Sequence, residues 1–158
     1  MLKYLYVKEL FSEIPQEISL GISITGCKIH CKGCHSKELW DDIGRPLTVD
    51  RLNEILDKHD GVTCLLLLGG EHDISALTEL FYHAHKRVKT AWYSGLDKIP
   101  DSQQGILHYL DYYKIGRYKQ DLGGLSSKTT NQKLYKIEHQ GNGNYWETDI
   151  TYLLQKND

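Results

Sequence analysis

Three cysteines, Cys27, Cys31 and Cys34, fall in one short stretch with the spacing C-x3-C-x2-C. Such close spacing is awkward for a disulfide framework and suits thiolates converging on one metal centre. Thiolates are the usual ligands of iron–sulfur clusters, normally four to a cluster. Only three are grouped here. The fourth, Cys64, lies inside the apolar run 62–68 and is expected to be a buried, inert core thiol. Three thiolates on a four-iron cube leave one iron with an open position, where a substrate or cofactor can bind. The same residues also read as a structural zinc site if His30 or His35 completes the set. Zinc knuckles, however, usually pair C-x2-C motifs across a longer gap, and no second pair is present.

The elements that must position this loop follow from the apolar patterning. At 158 residues the chain is expected to be one domain, 1–158, able to bury about two-thirds of its unfolded surface. A net charge of −2 argues against a general nucleic-acid binder. No apolar run approaches the ~18 residues of a membrane span, and the charges scattered through the first ten residues do not make a signal peptide. A cytoplasmic location is the expectation, and clustered cysteines in a reducing compartment favour metal over disulfides.

A short strand is expected over 4–7. Residues 17–24 alternate, with Ile18, Leu20, Ile22 and Ile24 on one face and Ser19, Gly21 and Ser23 on the other. The small face suits a strand lying near a ligand. Thr48 caps a helix whose stripe is Val49, Leu52, Ile55 and Leu56. The run 62–68 is a strand buried on both faces, as in parallel sheets. Gly69-Gly70-Glu71-His72 follows it, and Asp73 or Ser75 caps a second helix with the stripe Leu77, Leu80, Phe81 and Ala84. Strands are expected at 88–93, ended by Ser94-Gly95, and at 109–115, ended by Gly116-Arg117-Tyr118, with a short helix from about Ser102 between them. Residues 134–139 and 145–151 flank Gly-Asn-Gly-Asn and predict a β-hairpin. Strand–helix alternation predicts an α/β fold with a parallel sheet, and the chain is too short for a closed eight-unit barrel. Every flagged loop then lies at the carboxyl end of a strand, where such sheets bind ligands.

The stretch Ile24-Thr-Gly-Cys27…Cys31-x-Gly33-Cys34-His35 resembles radical S-adenosylmethionine enzymes. More narrowly, it resembles the activating proteins of anaerobic (class III) ribonucleotide reductases. Many radical enzymes carry an aromatic residue just before the third cysteine; Gly33 there favours the activases. Trp92-Tyr93-Ser94-Gly95 is similar to the family's Tyr-Thr-Gly, Lys114 to Tyr118 to a segment the activases carry after an aspartate (here Asp111), and Asn131-Gln132 to their Asn-Gln. His72 stands where the family commonly has proline.

The resemblance implies an open, partial βα barrel of the radical S-adenosylmethionine type with a C-terminal hairpin. It implies a [4Fe-4S] cluster on Cys27, Cys31 and Cys34, the catalytic centre, and S-adenosyl-L-methionine near Gly33, Cys34, His35, Gly69, Gly70, Glu71, Ser94, Gly116 and Arg117. It further implies a flavodoxin-like electron donor, and a glycyl radical installed on anaerobic ribonucleoside-triphosphate reductase. So short a chain leaves no segment for a lid, which suits a macromolecular substrate. The alternatives are an activase of another glycyl-radical enzyme, a small radical enzyme with its own substrate, or a non-catalytic zinc-binding adaptor.

Overall fold

The computed structural model describes residues 1–31, 33, 34 and 36–155. Eight strands form one mixed sheet: β1 Lys3–Leu10, β2 Ser19–Ile24, β3 Arg45–Pro46, β4 Cys64–Leu68, β5 Lys89–Tyr93, β6 Tyr112–Ile115, β7 Lys133–His139 and β8 Tyr145–Asp149. Their spatial order is β3-β1-β2-β4-β5-β6-β7-β8, so the sheet is open with β3 and β8 at its edges. The centre, β2-β4-β5-β6, is parallel, and the flanking pairs are antiparallel. Helix α1, Val49–Asp57, lies between β3 and β4, helix α2, Ile74–Ala84, between β4 and β5, and a 3-10 helix, Asp101–Tyr109, between β5 and β6.

Both α-helices start where side-chain caps satisfy orphan amides. Thr48 Oγ1 accepts from Arg51 N–H at 3.1 Å and Asp73 Oδ1 from Ala76 N–H at 3.1 Å. Leu52, Ile55 and Leu56 of α1, and Ile74, Leu77, Leu80, Phe81 and Ala84 of α2, turn inward. Each full burial of such a side chain stabilises by about 1.5–3 kcal/mol. Phe81 of α2 is wholly buried, and its truncation would cost about 3–5 kcal/mol.

Period-two alternation splits the central strands between two cores. Leu20, Ile22, Leu65, Leu67, Trp92 and Tyr113 face the helices. Cys64, Leu66, Ala91 and Tyr112 face the other way, against Ile14, Leu134 and Ile150. Here the small face of β2 differs from expectation. A Cβ on Gly21 would stand 2.4 Å from the Leu10 side chain, so that glycine accommodates β1 rather than a ligand. The strand expected over 4–7 runs the full Lys3–Leu10, antiparallel to β2.

Register is what builds a site. Ser23 pairs with Leu68, Leu68 with Tyr93, and Tyr93 with Lys114, one row across the carboxyl ends of the four parallel strands. Among the described residues no helix is long and apolar enough to cross a membrane.

Candidate metal centre

The cysteine loop leaves β2 and is pinned against residues 39–43. Gly26 N–H donates to Asp41 O at 3.0 Å, Cys27 N–H to Leu39 O at 2.9 Å, and the Thr25 hydroxyl to Ile43 O at 2.5 Å. His30 takes a left-handed backbone (φ 50°), and its ring stacks on Trp40 with centroids 4.2 Å apart. Cys34 N–H closes a turn onto Cys31 O at 3.1 Å, and Cys34 Sγ accepts from Ser36 N–H at 3.4 Å.

Cys27, Cys31 and Cys34 are free, part-buried and line one cavity of about 240 Å³ at the carboxyl ends of the parallel strands. The Ser23–Lys114 row supplies Leu68, Tyr93 and Lys114 to the same cavity, and the turn after β4 supplies Gly69 and Glu71. Cys64 is sealed on the sheet's second core, where burial pushes its thiol far up, so it takes no part. Among the described residues no three His, Cys, Asp or Glu side chains stand in closed coordination geometry; the thiols share a cavity rather than a point.

The turn after β4 is held from both sides. Gly69 N–H donates to Tyr93 O at 3.0 Å, and Trp92 Nε1–H donates to Gly69 O at 2.8 Å. Glu71 Oε1 accepts from Gly95 N–H at 2.7 Å, which aims the carboxylate at the cavity. Its Oε2 is buried and has no hydrogen-bond partner among the described residues, and the same is true of Trp40 Nε1. An orphan acceptor and an orphan donor lining one cavity are expected where a ligand completes them. Burial raises the Cys27 thiol above its ordinary range. Main-chain bonds from Ile29 and His30 oppose this, while the nearby Glu71 and Cys34 reinforce it. Burial lowers the Lys114 ammonium, against the pull of Glu71 and Cys31. Gathered sulfur and carboxylate of this kind gain most from a bound cation. The donor set therefore fits an iron–sulfur cluster, with Glu71 and Trp40 left over for whatever sits beside it.

The other expected contacts divide. Gly69 and Glu71 line the cavity; Gly70 (φ 90°) turns its α-carbon toward Leu77, where a Cβ would stand 2.9 Å from Cδ2. Ser94 is buried, its Oγ accepting from Leu96 N–H at 3.0 Å, and its neighbour Gly95 faces the site. Gly116 packs on Gln132, where a Cβ would stand 2.9 Å from the Gln132 Cα. Arg117 is exposed and lines a separate outer pocket with His30 and Cys31, its own N–H held by Asp97 at 2.9 Å. Gly33 sits under the Gln120 side chain, and His35 lies outside the described residues. Asn131 and Gln132 donate to Arg117 O and Gly116 O, at 2.9 and 3.3 Å. His72, left without a role by the sequence, lies 3.3 Å from where a Gly26 Cβ would stand.

Lys114 and Trp40 were not expected at the site. A lysine inside the otherwise apolar end of β6 was the signal for the first; Trp40 had none. The exposed Gln120 side chain packs on the cysteine loop at Gly33, where a Cβ would stand 2.8 Å from its Cδ.

A family model described as a 4Fe-4S single cluster domain matches residues 18–138. Comparison with curated proteins and with solved structures finds no match for the chain.

Proposed function

We propose a function from one premise: the chain belongs to the 4Fe-4S single cluster domain family and is an iron–sulfur protein. It is a cytoplasmic activase of the radical S-adenosylmethionine type, an open partial barrel. Its substrate is the glycyl-radical subunit of anaerobic ribonucleoside-triphosphate reductase, and a flavodoxin-like protein reduces it. One observation carries this reading. Three thiols, with no fourth at hand, share a cavity with a buried carboxylate oxygen that has no partner among the described residues.

Cys27, Cys31 and Cys34 would hold the cluster and leave one iron open. When bound, the reduced cluster and S-adenosylmethionine supply a one-electron cleavage whose carbon radical takes a hydrogen atom from a glycine. The chain's own residues bind and orient. Glu71 Oε2 would accept from the cofactor's ammonium, because Gly95 N–H already holds Oε1 and fixes the carboxylate's aim. Gly69, held by Trp92 and Tyr93, lets the cofactor approach main chain. Lys114, lining the same cavity and electrostatically coupled to Glu71 and Cys31, would suit a carboxylate.

The test is anaerobic reconstitution followed by mixing with the reductase from the same source. About four irons with matching sulfide per chain, S-adenosylmethionine cleavage under reduction and a glycyl doublet on the reductase support the proposal. One zinc and no sulfide ends it. Cleavage with a radical only on a different glycyl-radical enzyme changes the substrate but not the chemistry.

A further inference from the structure

Glu71 Oε2 and Trp40 Nε1 both belong to residues lining the cysteine cavity, and both are buried without a hydrogen-bond partner among the described residues. One accepts and the other donates, yet they do not satisfy each other. They come from different sides of the site. Glu71 follows β4 and belongs to the strand ends, whereas Trp40 closes the 3-10 turn Lys37–Trp40, just after the cysteine loop. Both chain neighbours of Trp40 are tied to the start of that loop: Leu39 O accepts from Cys27 N–H at 2.9 Å, and Asp41 O from Gly26 N–H at 3.0 Å. The indole plane is fixed as well. The His30 ring stacks on it, 10° from parallel, and the Lys37 ammonium stands 5.9 Å from its centroid. The same loop that carries the three thiols therefore holds the indole N–H in place.

We propose that Trp40 Nε1–H donates to a sulfur of the bound cluster and so raises its reduction potential, an inference that rests on the iron–sulfur centre of the function proposed above and not on the identity of its substrate. The acceptors on the loop side are sulfurs: Cys27, Cys31 and Cys34 line the cavity with Trp40, and a cluster there adds sulfides to their thiolates. Native structures leave few buried donors unmet, so an indole N–H with no acceptor in the protein points to one supplied by the group the cavity holds. Indole is a donor only and does not titrate, so it neither ligates the metal nor competes for it. Its effect is on the electron. A cluster held by three thiolates gains one negative charge when the external reductant delivers one electron, and no bond at Trp40 forms or breaks. Hydrogen bonds to charged acceptors are the stronger ones, so the N–H binds the reduced cluster more tightly than the oxidised one. Hydrogen bonds to the sulfurs are among the levers that set such potentials.

Trp40→Phe keeps a ring for His30 and deletes the N–H. Cluster-loaded wild type and variant, both free of S-adenosylmethionine, are titrated with dithionite and redox mediators, and the reduced cluster is followed by its paramagnetic resonance signal. Iron and sulfide per chain should be equal. At one ambient potential the variant's ratio of reduced to oxidised cluster should be about tenfold lower, a downward shift of about 59 mV for a one-electron couple. A packing role alone predicts the opposite sign, because a looser wall admits water, which favours the more highly charged reduced cluster. Wild type grown with isotopically labelled indole nitrogen gives an independent reading. Trp92 Nε1–H is committed to Gly69 O at 2.8 Å, and Trp146 is 66% exposed on β8, so Trp40 is the tryptophan left to couple to the cluster. Pulsed resonance spectra of the reduced cluster should show a labelled-nitrogen coupling that Trp40→Phe lacks. A variant potential equal to or above that of wild type, or no such coupling in wild type, overturns the inference. If Trp40→Phe loads no cluster, the coupling in wild type decides. One zinc and no sulfide in wild type overturns the functional reading and this inference with it, whereas a loaded cluster with an unmoved potential overturns the inference alone.

Discussion

Replacing Glu71 by glutamine separates the two tasks of its carboxylate. Oε1 holds Gly95 N–H at 2.7 Å, and Oε2 is buried without a partner among the described residues. Glutamine keeps an oxygen for Gly95 but offers amide hydrogens where the ligand's ammonium should donate. A hydrogen bond to a charged group contributes about 1.5–3 kcal/mol. Since ~1.4 kcal/mol is tenfold, S-adenosylmethionine affinity should fall by roughly 10- to 150-fold. Titrating the reduced, cluster-loaded variant and following the cluster's paramagnetic resonance signal measures this directly. With the cluster held by the three thiols as proposed, iron and sulfide per chain should not change. Without cofactor the variant keeps the Gly95 N–H bond and should unfold near the wild-type midpoint. Glu71→Ala differs: it strips Gly95 N–H of its acceptor and should cost about 1–3 kcal/mol. Unchanged cofactor affinity in a cluster-loaded Glu71→Gln would refute the reasoning. Loss of the cluster would instead assign Glu71 to the metal.

Alanine at Cys27, Cys31 or Cys34 should abolish the cluster's visible absorption, whereas Cys64→Ala should keep it and lose about 1 kcal/mol in denaturant unfolding. Gly70→Ala should lower stability by about 1–2 kcal/mol, because a left-handed backbone receives a Cβ against Leu77. Each kcal/mol lowers the melting midpoint by about 2–4 °C, with cofactor affinity retained; weakened binding in a stably folded variant would return Gly70 to the site. Glu17 is buried and accepts from Thr63 at 2.8 Å, Tyr112 at 2.9 Å and Lys89 at 3.0 Å. Burial alone would raise its carboxyl, but the bonds from Lys89, Thr63 and Tyr112 outweigh it and hold the group below its ordinary range. Its stabilisation is therefore complete above the ordinary glutamate value of about 4.3 and is lost as pH falls through the lower folded value. Melting midpoints from pH 7 to 3 should converge between wild type and Glu17→Gln at the acid end; parallel curves would show that the shift does not contribute.

Local chemistry was legible where one residue type does one job. Thr48 and Asp73 cap helices because short oxygen side chains reach orphan amides, and the Gly-Asn-Gly-Asn turn joins β7 to β8. The cysteine spacing and the row of strand ends located the candidate site before any coordinate. Misplacements arose where neighbouring residues divide a role. Gly69 and Gly70 look alike in sequence, but one faces the cavity and the other Leu77, a choice made by helix packing. Ser94 and Gly95 divide the same way, since pleat parity buries the first. The full length of β1 was hidden because its charged Lys8 and Glu9 break the apolar pattern, while its pairing partner β2 lies across an irregular loop. The packing of Gln120 on Gly33 is a long-range contact that no local pattern encodes.

Three reachable thiols cannot all pair with one another. Cys27, Cys31 and Cys34 are free and part-exposed, while Cys64 is sealed within the sheet and offers no fourth sulfur. Exposed to air without metal, any disulfide closed inside the loop strands one cysteine, and that sulfur finds a mate only on another molecule. Parity thus couples loss of iron to covalent dimerisation. The oxidised protein should therefore accumulate as reducible pairs, each joined through loops that would otherwise hold a metal, and a reductant added before iron should return both halves to use.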